Sequence, residues 1–550
     1  MKKGNYIIQI TSCALLMLLF VSCKKILDQE PRNSTYGEAF WKNANAGTSA
    51  VAGNYASLRN TLSNGLYNSY NRYYAYGETV ANQGYTLFSG DDGQGNLDLL
   101  NGNYSHNYVA AALGDWTEYY KTIAMSNIIL KQMKAVPESV LASHANPEEY
   151  RNNVLGQALF IRALTYFFMV RTWGDVPLVI EAYDDPIAAP HLGRTPKLEV
   201  MAQIEKDCLE ALDLLKWSYN TPAEKSVTAN KGAVNALLAH LYLWRATVSN
   251  VTNDNPILSD VEKAAIAIEE IETRGGYTLT DTANYYQTFI GRSSESIFEI
   301  NKSENTLEGT NYHIANRFLT KDQIEGYGVN PFYSVTATYL SSSFDSVVLH
   351  VGADPGGSWH QHYDGEWHWL WAKETHAETI PTYKDIRRRK NFTVNENDAN
   401  ICIKYSNVIY RNPGLKQDHR VSNNMPIFRL ADIKLLKAEI AIYRSQNNVA
   451  IDIINNSLKR NNGSDYFLLP PTATRNAILN AYINERYREL FLEGHIFYDL
   501  IRTRKCYDRI GWLSSTASRF SLEGFYWPVA PALFKQNKFL VQTNYWRGKI

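Results

Sequence analysis

Apolar positions are densest between Asn146 and Glu181, NPEEYRNNVLGQALFIRALTYFFMVRTWGDVPLVIE, and their spacing predicts one buried helix. Asn146 is placed to cap the amide of the third helical residue, Pro147 suits the first position where no amide partner is needed, and Glu148 and Glu149 face the positive end of the dipole. Val154, Leu155, Ala158, Leu159, Ile161, Leu164, Phe167, Phe168 and Val170 spread around more of the cylinder than one amphipathic stripe would, which predicts neighbours on several sides. Gly174 and Pro177 end the helix, and an extended apolar exit follows.

The same grammar recurs along the chain. Thr35-Tyr-Gly-Glu38 is a capping-box pattern opening a helical segment to about Leu62, and Asp115 to Met133 carries Trp116, Tyr119, Tyr120, Ile123, Ile128 and Ile129 at helical spacing. Thr195-Pro196 starts a run to about Lys216. Lys231 to Ala246 is rich in Ala and Leu, and Ser259-Asp-Val-Glu262 caps a partner that ends at Gly275-Gly276. Phe428 to Ile454 repeats the pair, with a Gln-Asn-Asn turn between its helices, and helix is expected again from Thr474 to Arg504. These pairs look like tetratricopeptide pairs of irregular period, which stack because one pair alone cannot bury its face. Two stretches break the pattern. Residues 63 to 108 are dense in Gly, Asn, Asp, Ser and Tyr, and 302 to 425 show no sustained helical period after a short strand at Ser296 to Asn301. Long irregular segments of this kind are usually functional.

Length alone, 550 residues, would allow three or four domains, although a continuous helical array can absorb it as one. Lys plus Arg equals Asp plus Glu at 55 each, so there is no field to draw the chain onto nucleic acid, and none is expected as a partner. Aromatic residues make up 13%, including 37 Tyr and 12 Trp, an excess that predicts some rings facing outward. The N-terminus resembles a bacterial lipoprotein signal: Lys2 and Lys3, an apolar stretch from Ile7 to Val21, then Phe20-Val21-Ser22 before Cys23, where the pattern prefers Leu at the first of these. Cys13 also fits but leaves almost no hydrophobic region before it, and an uncleaved anchor helix is the alternative. Residues 1–22 are therefore expected to be a signal peptide, Cys23 the lipidated residue and 23–34 a polar tether. Cys208, Cys402 and Cys506 show no Cys-x-x-Cys spacing and read as packed thiols.

The chemistry concentrates in the irregular parts. Trp359, Trp367, Trp369 and Trp371 fall within thirteen residues, and the alternation of the last three would place them on one face of a strand, a row of flat rings suited to sugar faces. A small aromatic core under a long loop is the other reading. His350, His360, His362, His368 and His376 share the segment; His360 and His362 could begin a metal site, but no third ligand stands at a suitable spacing, so hydrogen bonding to ligand hydroxyls is expected and no metal. In the Tyr-rich stretch Tyr73, Tyr76 and Tyr85 are candidate ligand contacts, as is Asp91 in Asp91-Asp92-Gly-Gln-Gly-Asn96, a loop whose oxygens could hold calcium but which lacks EF-hand spacing. No cofactor is expected. Glu485, Glu489 and Glu493 recur every fourth residue near His495 and Asp499. With Arg486, Arg488, Arg502 and Arg504 at hand they read as a structural ion network rather than an active site. No Gly-x-Ser-x-Gly, phosphate loop or His-Glu-x-x-His occurs, so the chain is not read as an enzyme.

Cys23 followed by ILDQEP, WTEYYKTIAMSNIIL from Trp116, GQALFIRALTYFFMVRTWGDVPLV, RLADIKLLKAE from Arg429, ERYRELFLEGHIFYD from Glu485 and the tail WPVAPALFKQNKFLVQTNY together resemble a SusD/RagB-family outer-membrane lipoprotein of Bacteroidetes. The resemblance implies a mostly α fold, a single SusD-like domain over 35–550. In it an N-terminal helical part (35–290), an irregular insert (291–425) and a C-terminal part (426–550) build a tetratricopeptide-like scaffold with long loops and a few short strands. It implies a lipid-anchored, surface-exposed protein that captures oligosaccharides, or peptides in the RagB branch, and hands them to a SusC-type TonB-dependent transporter; a glycan-acting enzyme is the remote alternative. By region, the ligand face falls on residues 67 to 96 and on the insert after Asn301. Arg162, Gly174-Asp175, Asp432, Glu439 and Glu493-Gly494 match family motifs that look structural.

Overall fold

The computed structural model describes residues 37–63, 71–81, 83–88, 93–104, 111–183, 190–309, 313–326, 330–350, 359–363, 369–373, 379–514 and 517–550. The signal segment, Cys23 and the tether lie outside them. Ten helices carry the architecture: α1 (Ala46–Ser63), α2 (Thr117–Ala135), α3 (Pro147–Trp173), α4 (Lys197–Leu214), α5 (Lys231–Val248), α6 (Leu258–Arg274), α7 (Leu430–Tyr443), α8 (Asn447–Arg460), α9 (Arg475–Glu489) and α10 (Ile496–Arg502). Each packs on the next from α1 through α8, and α9 closes on α7 and α8, so the helices form a continuous stack.

The helix expected at Asn146 is α3. The Asn146 side chain accepts from the Glu149 amide at 3.1 Å, and Gly174 (φ 71) ends the helix by donating to the Val170 carbonyl. Every residue from Val154 to Trp173 is buried, with α1, α2, α4 and α5 around it. Each large apolar side chain buried this way contributes roughly 1.5–3 kcal/mol. The helix is long and apolar enough to cross a membrane, but here it is the core of the stack. Asn230 caps α5 through the Ala233 amide at 2.9 Å. At α6 the expected Ser259 capping box does not form; the helix starts two residues earlier, with Ile257 at the N-cap position and no side-chain cap.

Among the described residues, twelve short strands pair two by two, all antiparallel. The ribbon of β2 (Ser296–Ile300) and β12 (Met425–Arg429) brackets the insert and leads directly into α7. Within the insert, β4 (Ser346–His350) pairs with β7 (Thr379–Tyr383), and β5 (Trp359–Tyr363) pairs with β6 (Trp369–Lys373).

Two expectations need correction. The stretch 63–108, read as irregular, contains helices at Arg72–Gly77 and Gly93–Leu100 and strand β1 (Tyr85–Leu87), the last paired with β3 (Tyr333–Val335). The helix expected from Thr474 to Arg504 is broken between α9 and α10, where Leu492 (φ 57) and Gly494 (φ 74) adopt left-handed backbone. Much of the aromatic excess also proves to be core: Trp173, Trp244 and Trp527 are fully buried, and the Tyr104 ring stacks on Trp527 at 4.0 Å.

Candidate functional site

The irregular insert is held to the scaffold by buried charge. Arg429, at the end of β12, donates to Glu489 (2.8 Å) and to Glu493 (2.8 Å), and Lys404 from the insert reaches Glu493 at 2.6 Å. Arg387, just after β7, bridges Asp385 (2.8 Å), Glu485 (2.7 Å) and Glu489 (3.1 Å). Burial is the largest single influence and would raise the carboxyls of Glu489 and Glu493, but Arg429 together with Arg387 and Arg460 at Glu489, and with Lys404 at Glu493, holds both below their ordinary value. The three glutamates are thus ion-paired structural groups, as their spacing suggested.

A second knot lies beside it. Arg486 joins Asp432 (2.6 Å) to Asp499 (2.7 Å), and Arg502 joins Asp499 (2.7 Å) to Glu439 (2.6 Å). His240, Asp432 and His495 come within 4.8 Å of one another, a trio that could ligate a metal. Asp432 is already committed, Oδ1 to Arg486 and Oδ2 to His240 Nε2 at 2.8 Å, and two guanidinium groups stand nearby, which disfavours a cation. Burial pushes His240 below its ordinary value and His495 down to about 4, so both rings are neutral at pH 7. The other motif residues read as structural hold the scaffold likewise: Arg162 forks onto Asp207 (2.8 and 2.7 Å), and Asp175 accepts the Lys197 amide at 2.8 Å.

The candidate ligand residues separate into two groups. Tyr73, Tyr76 and Tyr85 do not face outward: they are 5%, 3% and 2% exposed, and their hydroxyls bond Glu493 O (2.7 Å), Leu113 O (2.7 Å) and the Thr79 hydroxyl (2.9 Å). Their rings pack on Phe168, Trp173 and Phe318, because a helix and a strand form where a loop was expected. Trp359, His360 and His362 lie on β5 and Trp369 and Trp371 on β6, and the register sets Tyr363 opposite Trp369 and Gln361 opposite Trp371. One two-stranded ribbon therefore carries five of the candidates. Trp367 and Asp91 lie outside the described residues.

An aromatic residue that the sequence reading passed over is Tyr466, 83% exposed in the turn after α8. It sits in NNGSDYFLLPP, whose Gly, Ser and Pro mark a surface turn, and an aromatic residue there was the available signal.

Fold and site together define a tetratricopeptide-like helical scaffold that presents an irregular, strand-bearing insert. A family model described as "Starch-binding associating with outer membrane" matches residues 28–243, and one described as "SusD family" matches residues 294–546. The chain belongs to the SusD/RagB family, whose members are nutrient-binding proteins of the outer membrane. SusD-like protein P38 of Formosa agariphila is 24% identical over 542 residues, covering 93% of this chain and 94% of that protein. Among solved structures, a SusD homolog from Bacteroides thetaiotaomicron shares the fold with a TM-score of 0.68 at 23% identity, covering 92% of this chain and all of that one. NanU of B. fragilis does so with a TM-score of 0.67 at 20% identity, covering 94% and 99%.

Proposed function

We propose that this chain is anchored by lipid at Cys23 to the cell surface, captures oligosaccharides, and hands them to a SusC-type TonB-dependent transporter. The observation that carries the reading is the placement of Trp359, Trp369 and Trp371 on one paired ribbon, β5 with β6, within the insert. A tryptophan face against the C–H face of a sugar ring is a binding chemistry that needs no catalytic group, and the register sets Gln361 and Tyr363 on the tryptophan side of the ribbon while His360 and His362 take the alternate positions. The locked ion network supports it from the other side, because a rigid base lowers the ordering cost of whatever the insert binds. Family membership supports the outer-membrane setting and the transporter as partner.

The test is affinity electrophoresis in gels containing starch, xylan, laminarin or alginate, comparing wild type with Trp369→Ala/Trp371→Ala. At roughly 0.5–1.5 kcal/mol per stacked ring, the double variant should bind the retarding glycan roughly tenfold or more weakly. Unchanged retardation of the variant would remove the ribbon from the site. Retention of peptides and of no glycan by wild type would move the reading to the RagB type.

A further inference from the structure

We infer that the groove between α6, α7 and α8 binds a medium-chain carboxylate, with its head on Arg460 and its alkyl tail along Leu435, Ile453 and Val449. The groove is built from the scaffold rather than the insert, so it stands apart from the oligosaccharide reading above.

The cavity measures about 500 Å³, within the range of about 300–1,000 Å³ usual for small-molecule sites. Its α8 side is a stripe of Val449, Ile453, Asn456 and Arg460, spaced three or four residues apart, which runs about 16 Å along the helix. Ala431 and Leu435 of α7 and Leu279, from the segment after α6, add apolar surface. No aromatic residue is among the described residues that line it, so it offers no platform for a sugar ring. The walls are helices, whose backbone groups are already paired. An extended peptide would find no backbone partners there, whereas an alkyl chain requires none.

Charge places the head. Arg460 is largely buried, and its only hydrogen bond among the described residues runs from Nη2 to the Thr280 carbonyl at 2.7 Å. Glu489 and Glu295 stand at 3.7 and 3.9 Å, beyond hydrogen-bond distance, and are taken up by Arg429 at 2.8 and 3.4 Å. The Thr280 hydroxyl is buried without a partner. A guanidinium with spare donors and an idle hydroxyl at one end of an apolar groove suit an anionic head. Of the other charges on the lining, Lys434 and Lys437 share Glu272 at 3.5 and 2.6 Å. Asp452 lies about 12 Å along α8 from Arg460, beyond a Debye length at physiological salt, and leaves the head position free of repulsion.

The experiment is titration calorimetry of the full mature chain with octanoate, decanoate and dodecanoate below their micelle-forming concentrations, and with decyltrimethylammonium as the cationic arm. Wild type is compared with Arg460→Gln and with Val449→Asp. Wild type should bind decanoate at one saturable site, each two-carbon extension should tighten binding roughly five- to fifteenfold, and decyltrimethylammonium should give no saturable heat. Arg460→Gln should weaken decanoate roughly tenfold or more through loss of a charged hydrogen bond, and Val449→Asp should do so by setting a charge against the tail. Val449 is 45% exposed in the first turn of α8, where an acidic residue suits the helix, so the melting temperature of Val449→Asp should match wild type. The inference is overturned by absence of saturable decanoate heat in wild type, by equal binding of decyltrimethylammonium, or by wild-type decanoate affinity in Val449→Asp.

Discussion

Arg429 shows how much a single side chain holds at the residue scale. Its guanidinium meets Glu489, Glu493 and Glu295 out of contact with water, so removing it takes a cation from three buried carboxylates at once. Breaking a buried pair from one side costs about 3–5 kcal/mol, and Arg429→Met should lose at least that in a urea titration. Lys302 is the opposite case. Its ammonium is buried without a hydrogen-bond partner, and burial pushes it from 10.5 down to about 7. A depressed lysine makes the fold pay for its charge, fully below pH 7 and progressively less as pH rises toward 10.5. Lys302→Met should therefore raise the melting temperature, most below pH 7 and least near pH 10.5, as followed by scanning calorimetry. On the acid side, His495 and His240 are held neutral by burial, so their contribution is present above pH 6.5 and drains away as pH falls, for His495 through about 4. The glutamates Glu489 and Glu493, held low by Arg429, lose theirs below the ordinary carboxylate range. Glu78, pushed up to about 8 by burial, acts in the opposite sense and gains stability as pH falls, so His495→Phe should flatten the loss below pH 6.5 in calorimetric scans across pH. The role of the acids was legible, because Glu and Arg recur on one apolar helix. Their partners Arg387, Lys404 and Arg429 were not, since pairing across 64 to 98 residues has no local signal.

At the scale of elements, caps and periods located the helices well. Asn146, Asn230 and Gly174 do what their residue types predict. The misreadings came where a distant element decides. Glu78 accepts from the amides of Leu492 and Gly494 at 3.1 Å each, and this contact from the N-terminal half stabilises the turn that splits α9 from α10. Gly77 passes so close to Gly494 that an added Cβ would overlap its carbonyl oxygen. Gly77→Ala should cost about 1–3 kcal/mol by forcing this crossing apart, measurable by chemical denaturation, even though alanine is the better helix former. The stretch 63–108 was misread for the same reason: Tyr73 and Tyr85 become core only because the Gly494 turn, α3 and β3 pack against them. Propensity alone cannot report that.

Across the whole molecule, the two family-matched portions interlock rather than sit side by side, through Tyr73 on Glu493, Glu78 on the α9–α10 turn, and His240 on Asp432. Scaffold and insert therefore act as one body up to the feet of the β4–β7 ribbon, and the aromatic ribbon of β5 and β6 lies within the segment that body brackets. The fold class was readable from helix-pair grammar, whereas the site was readable only by region, because which rings pack inward depends on long-range contacts. The most direct measurement is titration calorimetry of the mature wild-type chain against oligosaccharides cut from starch, xylan, laminarin and alginate, with a mixed peptide digest alongside. The account predicts saturable heat with at least one of these oligosaccharides and none with the peptides. Heat from the peptides with none from any oligosaccharide would contradict it.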